Sequence, residues 1–288
     1  VHQVRRQSPD KEEISSAAEL LMSAKRPIII AGGGVQYSGA VSELTNFAKI
    51  HNIPIVETIA GRANLLDRDP FNIGPIGVTG SNSANTIANK ADLIIAVGTR
   101  LQDFTTGSWT VFSMDSKFIS INAARHDATK HLSLPVVGDA KLALTTLSKA
   151  CSGFKASSEW MSFAQEERKK WDSYVSDNIS VVNNRPNSYA QAIGVVNAIC
   201  EQRDRIVAAA GGLPAEVTAN WRTLDIGTVD VEFGFSCMGY EIAGAWGAKI
   251  AQSQNEPEKD TISFCGDGSY LMLNSDIYSS VLSNKKLI

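Results

Sequence analysis

Cysteine and histidine are scarce in this chain, with four of each among 288 residues. Cys151, Cys200, Cys237 and Cys265 lie far apart and form no C-x-x-C pair. That favours reduced thiols over a disulfide framework as the expectation. No histidine follows His131, so a Ser–His triad using Ser236 would need its base from the first half of the chain, and no G-x-S-x-G elbow exists. His126 and His131, with Asp127 beside them, lack a third ligand at a familiar spacing and read as solvated loop residues. No sign of charge dominates either. The formal net charge is −3 and the Lys and Arg residues are scattered, so there is no electrostatic case for nucleic acid. Long hydrophobic runs are missing: nothing approaches the roughly 20 residues of a membrane span. The first residues, Val1 to Gln7, lack the apolar core of a signal peptide, and there is no initiator Met. The expectation is a cytoplasmic piece of a longer protein.

At 43% hydrophobic residues, the chain has material for two cores. From Glu12 to Ser148, short apolar runs alternate with amphipathic stretches. Strands are expected at Pro27–Ala31, Ile53–Val56, Ala91–Gly98, Lys117–Asn122 and Leu134–Gly138, and helices at Glu13–Ser23 and Ala40–His51. Residues 151–187 break that rhythm. They read as a connection with its own helix at Ser157–Tyr174, anchored by Trp160, Phe163 and Trp171. A second alternating unit covers residues 188–288. Its helices are expected at Ser188–Cys200, Gly239–Ala251 and Leu271–Leu282, its strands at Arg205–Ala210 and Thr261–Cys265, and a further strand is expected to start at Lys286. The fold class is α/β, with two doubly wound, mostly parallel sheets: residues 12–150 form one domain and residues 188–288 an incomplete second.

Two glycine-rich turns carry the chemistry. Gly32-Gly33-Gly34 followed by Gly39 could bring backbone N–H groups to a pyrophosphate. The spacing fits G-x-G-x-x-G poorly, and Glu57 is the nearest acidic residue to a ribose ligand, so tight helix–sheet packing is the simpler reading. Cys265-Gly266-Asp267-Gly268-Ser269-Tyr270 follows a buried-looking strand. A carboxylate between two glycines suits a metal–phosphate site, since Mg²⁺ combines one or two carboxylates with substrate phosphates. On spacing alone, an ordinary Asp-Gly turn explains it equally well.

The order of motifs decides between them. Ala209-Ala210-Gly211-Gly212-Leu213-Pro214, then Gly234-Phe235-Ser236-Cys237-Met238-Gly239-Tyr240-Glu241, then Gly266-Asp267-Gly268-Ser269 resembles the cofactor domain of thiamine diphosphate enzymes of the acetohydroxyacid synthase and pyruvate oxidase type. Residues 25–139, with Ala91 to Leu101, resemble the Rossmann-like central domain of the same family.

The resemblance implies thiamine diphosphate and Mg²⁺ as cofactors. Asp267 would hold the metal. Gly212, Leu213, Pro214, Gly266, Gly268 and Ser269 would surround the diphosphate, and Ser236 and Met238 would meet the organic rings, with Met238 beneath the bent cofactor. It further implies that the activating Glu belongs to an N-terminal domain outside this chain and that other metal ligands lie past Ile288, so that residues 1–288 alone are inactive. Leu213-Pro214 stands where synthases carry Gln-His, and points to members that open a cyclic diketone by hydrolysis. A homo-oligomer, dimer or tetramer, is implied for the intact enzyme. An acetohydroxyacid synthase or glyoxylate carboligase-like enzyme is the alternative, and a non-catalytic nucleotide-binding module built on Gly32 to Gly39 is a second.

Overall fold

Strands such as Ile28-Ile29-Ile30 have no polar face, so a sheet made of them must be covered on both sides. The computed structural model describes residues 5–288, and there the chain divides into two units after Asp172. The first unit contains α1 (Lys11–Ser23), β1 (Pro27–Ala31), α2 (Gly34–Tyr37), α3 (Val41–His51), β2 (Ile55–Glu57), β3 (Asn72–Pro75), α4 (Asn82–Lys90), β4 (Leu93–Val97), α5 (Asp103–Thr106), β5 (Lys117–Asn122), α6 (Arg125–Ala128), β6 (Leu134–Val137) and α7 (Ala140–Ala150). Its six strands are parallel, in the order β3-β2-β1-β4-β5-β6. β1 and β4 are buried at every residue, as their continuous apolar sequence requires. The helices begin where the sequence offers caps: the carboxylate of Asp10 accepts from the N–H groups of Glu12 and Glu13, and that of Asp139 from Lys141 and Leu142.

β2 and β3 differ from the sequence expectation, and the helices α4 and α7 were not expected either. The strand expected from Ile53 begins at Ile55, because the Ile53 N–H is taken by the Ala48 carbonyl in the closing turn of α3. β3 was not expected. Asn-Ile-Gly-Pro reads as a turn, yet at a sheet edge a proline and Gly74, at φ 112°, are tolerated.

The helix expected at Ser157–Tyr174 runs from Ser158 to Ile179 as α8. Its first half packs with the first unit. The Trp160 indole is buried and donates to the Pro27 carbonyl at 2.9 Å, with Phe163 stacked on it. Arg168 reaches Asp67 at 2.6 Å and donates to the Asn72 carbonyl, which ties the helix to the β3 edge.

Gly32, Gly34 and Gly98 meet where the strand order reverses between β1 and β4. A Cβ on Gly32 would stand 2.3 Å from the Gly98 carbonyl oxygen, and one on Gly34 would stand 2.7 Å from the Gly98 Cα. The Gly34 N–H already donates to Gly98. Glu57 is fully buried and occupied as well, accepting from Arg62 and from the Leu65 N–H. These glycines serve backbone contact, the simpler of the two readings. His126 and His131 are both exposed, and Asp127 pairs with Lys130.

The second unit contains α9 (Tyr189–Ile199), β7 (Arg205–Ala208), α10 (Leu213–Asn220), β8 (Val229–Val231), α11 (Tyr240–Gln252), β9 (Thr261–Phe264) and α12 (Asp267–Leu282). Its three parallel strands lie in the order β8-β7-β9. Ile206, Val207 and Ala208 of the central strand are buried. Ile288 makes one parallel rung on the free side of β9: its N–H donates to Thr261 and its carbonyl accepts from Ser263 at 2.7 Å. α10 and β8 were not expected. Gly-Gly-Leu-Pro looks like a turn, but proline in a first helical turn is preorganised and loses no helical hydrogen bond.

Candidate functional site

From β7 the chain passes to β8 on one side, and β9 then lies on the other side of β7. The carboxyl ends of β7 and β9 therefore flank the switch point of this sheet, where open parallel sheets take their ligands. Both strands feed a glycine and then a helix.

After β7, Gly211 is left-handed at φ 80° and Gly212 caps α10 with φ −77° and ψ −26°. After β9, Gly266 caps α12 with φ −80° and ψ 167°. The backbone at Gly212 and Gly266 suits any residue, and nothing lies within 4 Å of where a Cβ would stand on either. Neither conformation nor crowding within this chain calls for glycine there. Each position leaves open space that a Cβ would fill, which is what a closely approaching ligand requires.

α12 starts at Asp267, four residues before the expected Leu271. The Gly-Asp-Gly turn is thus a cap and a first helical turn, and an acidic side chain in that turn complements the helix dipole. Tyr270 is the first residue to donate within the helix, to the Gly266 carbonyl at 2.9 Å. The N–H groups of Asp267, Gly268 and Ser269 precede it and have no helical acceptor. They suit an anion. Among the described residues, no group of three or more His, Cys, Asp or Glu could hold a metal ion, so Asp267 offers a single exposed carboxylate. One carboxylate beside phosphate oxygens is a donor set that fits Mg²⁺.

Of the other residues singled out from sequence, Met238 is brought to this turn: its Cε lies 2.8 Å from where a Cβ of Gly268 would stand. Met238 is 47% exposed, so it is not core filler. Ser236 lies on the exposed loop before it, left-handed at φ 53°. Leu213 is half-buried at the start of α10, whereas Pro214 is buried, so its ring packs inward and shapes the helix start. The Ser269 side chain is also buried, and its hydroxyl is directed to a carboxylate, which leaves only its backbone N–H for a ligand.

That carboxylate, Glu241, was not singled out from sequence. It is fully buried and accepts from the Ala210 N–H and the Ser269 hydroxyl through Oε1, at 2.9 and 3.0 Å, and from the Gly239 N–H through Oε2 at 2.9 Å. A Glu just after a helix cap in a run of small residues was the available signal. Glu232 was missed as well. It accepts from the Phe235 N–H at 3.0 Å and the Cys237 N–H at 2.9 Å and so shapes the loop that carries Met238. Burial pushes its carboxyl up, but the N–H groups of Cys237, Phe235 and Gly234 outweigh that and hold it below the ordinary glutamate value.

The family profile described as "Thiamine pyrophosphate enzyme, central domain" matches residues 14–147, and that described as "Thiamine pyrophosphate enzyme, C-terminal TPP binding domain" matches residues 210–288. The chain belongs to the thiamine pyrophosphate enzyme family. Its first unit is the central domain of such an enzyme, and the Gly212, Met238 and Asp267 segments all fall within the match to the TPP binding domain.

Curated relatives share the sequence over the whole chain. A protein of Bacillus cereus named 3D-(3,5/4)-trihydroxycyclohexane-1,2-dione hydrolase 1 is 38% identical over 312 aligned positions, covering 100% of this chain and 48% of that protein. Proteins of Bacillus anthracis and Geobacillus thermodenitrificans, each named 3D-(3,5/4)-trihydroxycyclohexane-1,2-dione hydrolase, are 37% identical, again over 100% of this chain and covering 48% and 47% of those proteins. The chain thus spans about half the length of the curated relatives it matches. No helix among the described residues is long and apolar enough to cross a membrane.

Proposed function

We propose that this chain carries the diphosphate and Mg²⁺ end of a thiamine diphosphate site, in an enzyme that opens the ring of 3D-(3,5/4)-trihydroxycyclohexane-1,2-dione by hydrolysis. The observation that carries the reading is the convergence of two glycine-capped helix starts and Asp267 at the carboxyl ends of neighbouring strands. The names of relatives 37–38% identical over the whole chain support the substrate.

In this reading Asp267 holds Mg²⁺. The N–H groups of Gly268 and Ser269 donate to the diphosphate, and the open Cβ positions of Gly212 and Gly266 let it approach the backbone. Met238, resting over Gly268, supports the organic part. Ser236 meets the rings through its backbone. Thiamine diphosphate, when bound, supplies carbanion chemistry at a carbonyl carbon, and the protein supplies position and electrostatics. The overall reaction breaks one ring C–C bond of the dione and adds one water, giving a 5-deoxy-glucuronate.

The test is an assay of the natural polypeptide that contains this chain, with thiamine diphosphate and Mg²⁺, against the cyclic dione and against pyruvate. Consumption of the dione but not of pyruvate is expected, and Asp267→Ala should abolish it. Acetolactate formation from pyruvate without turnover of the dione would refute the substrate assignment.

A further inference from the structure

The three loops that meet at the site leave different strands, and a single buried side chain binds all of them. Ala210 leads into the Gly211-Gly212 turn before α10. Gly239 follows Met238 at the start of α11. Ser269 belongs to the first turn of α12. The Glu241 carboxylate accepts from each, at 2.9, 2.9 and 3.0 Å, and its own backbone carbonyl accepts from the Ser263 hydroxyl of β9 at 2.8 Å. It is 0% exposed, so a ligand does not reach it.

We infer that Glu241 is a positioning residue that sets the spacing between the α10, α11 and α12 starts, so that affinity for the cofactor depends on its carboxylate; the inference rests on the thiamine diphosphate reading above. A carboxylate only accepts, and three donors converge on it, so each donor is satisfied. Glutamine of the same shape cannot do this. Its NH₂ group would face either the Gly239 N–H or the Ala210 N–H, donor against donor. Glycine at position 239 completes the link. It is left-handed at φ 93°, and a Cβ there would stand 2.8 Å from the Leu273 Cδ1, at the point where α12 departs from helical geometry. Loss of the carboxylate therefore unlinks the α10 start from α12 and leaves the α11 start held to α12 by packing alone, although none of its atoms touches the ligand.

The experiment uses Glu241→Gln and Ser269→Ala in the natural polypeptide. Amide hydrogen exchange is read without ligand, thiamine diphosphate affinity by calorimetry with Mg²⁺, and the melting temperature on the same samples. In Glu241→Gln the amides of Ala210 and Gly239 should exchange faster while Ile206 and Val207 stay protected, and affinity should fall about tenfold or more. Ser269→Ala removes one link of three, and should weaken affinity by about threefold, with a melting temperature lowered by a few degrees and Ile206 and Val207 still protected. Unchanged affinity in Glu241→Gln, whatever its melting temperature, would overturn the inference by leaving Glu241 a merely structural residue. Should Glu241→Gln fail to fold, Ser269→Ala decides: lost affinity with Ile206 and Val207 still protected supports the inference, and wild-type affinity refutes it. Wild-type protein that binds no thiamine diphosphate would instead sink the functional reading itself, so the two failures are told apart.

Discussion

Replacing Gly266 with Ser separates what the fold needs from what a ligand needs. Gly266 caps α12 in extended backbone, at φ −80° and ψ 167°, and no atom lies within 4 Å of where its Cβ would stand. Serine therefore fits without strain. It caps a helix better than glycine by a few tenths of a kcal/mol. It also restricts the unfolded chain, an effect of about 0.4–1 kcal/mol for loss of a glycine at a permitted conformation. The sum is a stabilisation of about 1 kcal/mol, which raises the melting temperature by roughly 2–5 °C. The cost falls on the ligand. A serine Oγ at the cap accepts from the N–H of Gly268 or Ser269, the donors assigned here to the diphosphate. One hydrogen bond to a charged group contributes about 1.5–3 kcal/mol, so the dissociation constant should rise about 10- to 100-fold. Scanning fluorimetry without ligand and calorimetry with Mg²⁺ and thiamine diphosphate measure both on one sample. A lowered melting temperature would show that the fold itself needs this glycine. An unchanged dissociation constant would show that the diphosphate does not lie at the start of α12.

Three further outcomes are expected. Arg62→Ala leaves Glu57, already pushed up by burial, with the Leu65 N–H in place of its ion pair, and should cost about 3–5 kcal/mol in chemical denaturation; a loss below 1 kcal/mol would contradict the buried pairing. The Glu232 carboxyl is held below its ordinary value, so its hold on residues 235–237 contributes fully above the ordinary glutamate pKa near 4.5 and is lost as pH falls through the lower folded value. Exchange of the Phe235 and Cys237 amides, corrected for intrinsic rates, should therefore stay slow at pH 5 and quicken only in stronger acid, and Glu232→Gln should show the quickened behaviour at pH 5. Burial pushes the Cys151 and Cys200 thiols up to about 11, whereas Cys237 is exposed. A disulfide reagent at neutral pH should modify Cys237 first, and Cys237→Ser should remove the fast phase; a fast phase that survives would place an exposed thiol elsewhere.

Much of the molecule follows from periodicity and composition. The Pro27–Ala31 and Leu93–Val97 strands stand where their apolar runs predict, since a segment without a polar face must lie inside a sheet. The edge elements are another matter. β3 and β8 are short and carry Gly, Pro or Asp, so only a neighbouring strand makes them strands. α10 and the early start of α12 were hidden because Gly-Leu-Pro and Gly-Asp-Gly read as turns until the helices behind them are seen.

The candidate site divides in the same way. Gly212, Met238, Asp267 and their order along the chain are visible in one dimension, because glycines and a carboxylate after buried strands carry their own chemical meaning. Glu241 and Glu232 are not visible there. Each acts on backbone N–H groups, which every residue but proline carries, so no pattern of side chains marks the partners. The sequence by itself determined the family and the alternation of strand and helix, and it marked the residues proposed to face a metal diphosphate. Only the tertiary structure decided that the glycines of the first unit pack against one another while Gly212 and Gly266 stay open, and that one buried carboxylate joins the three loops, because both depend on which backbones the strand order brings together.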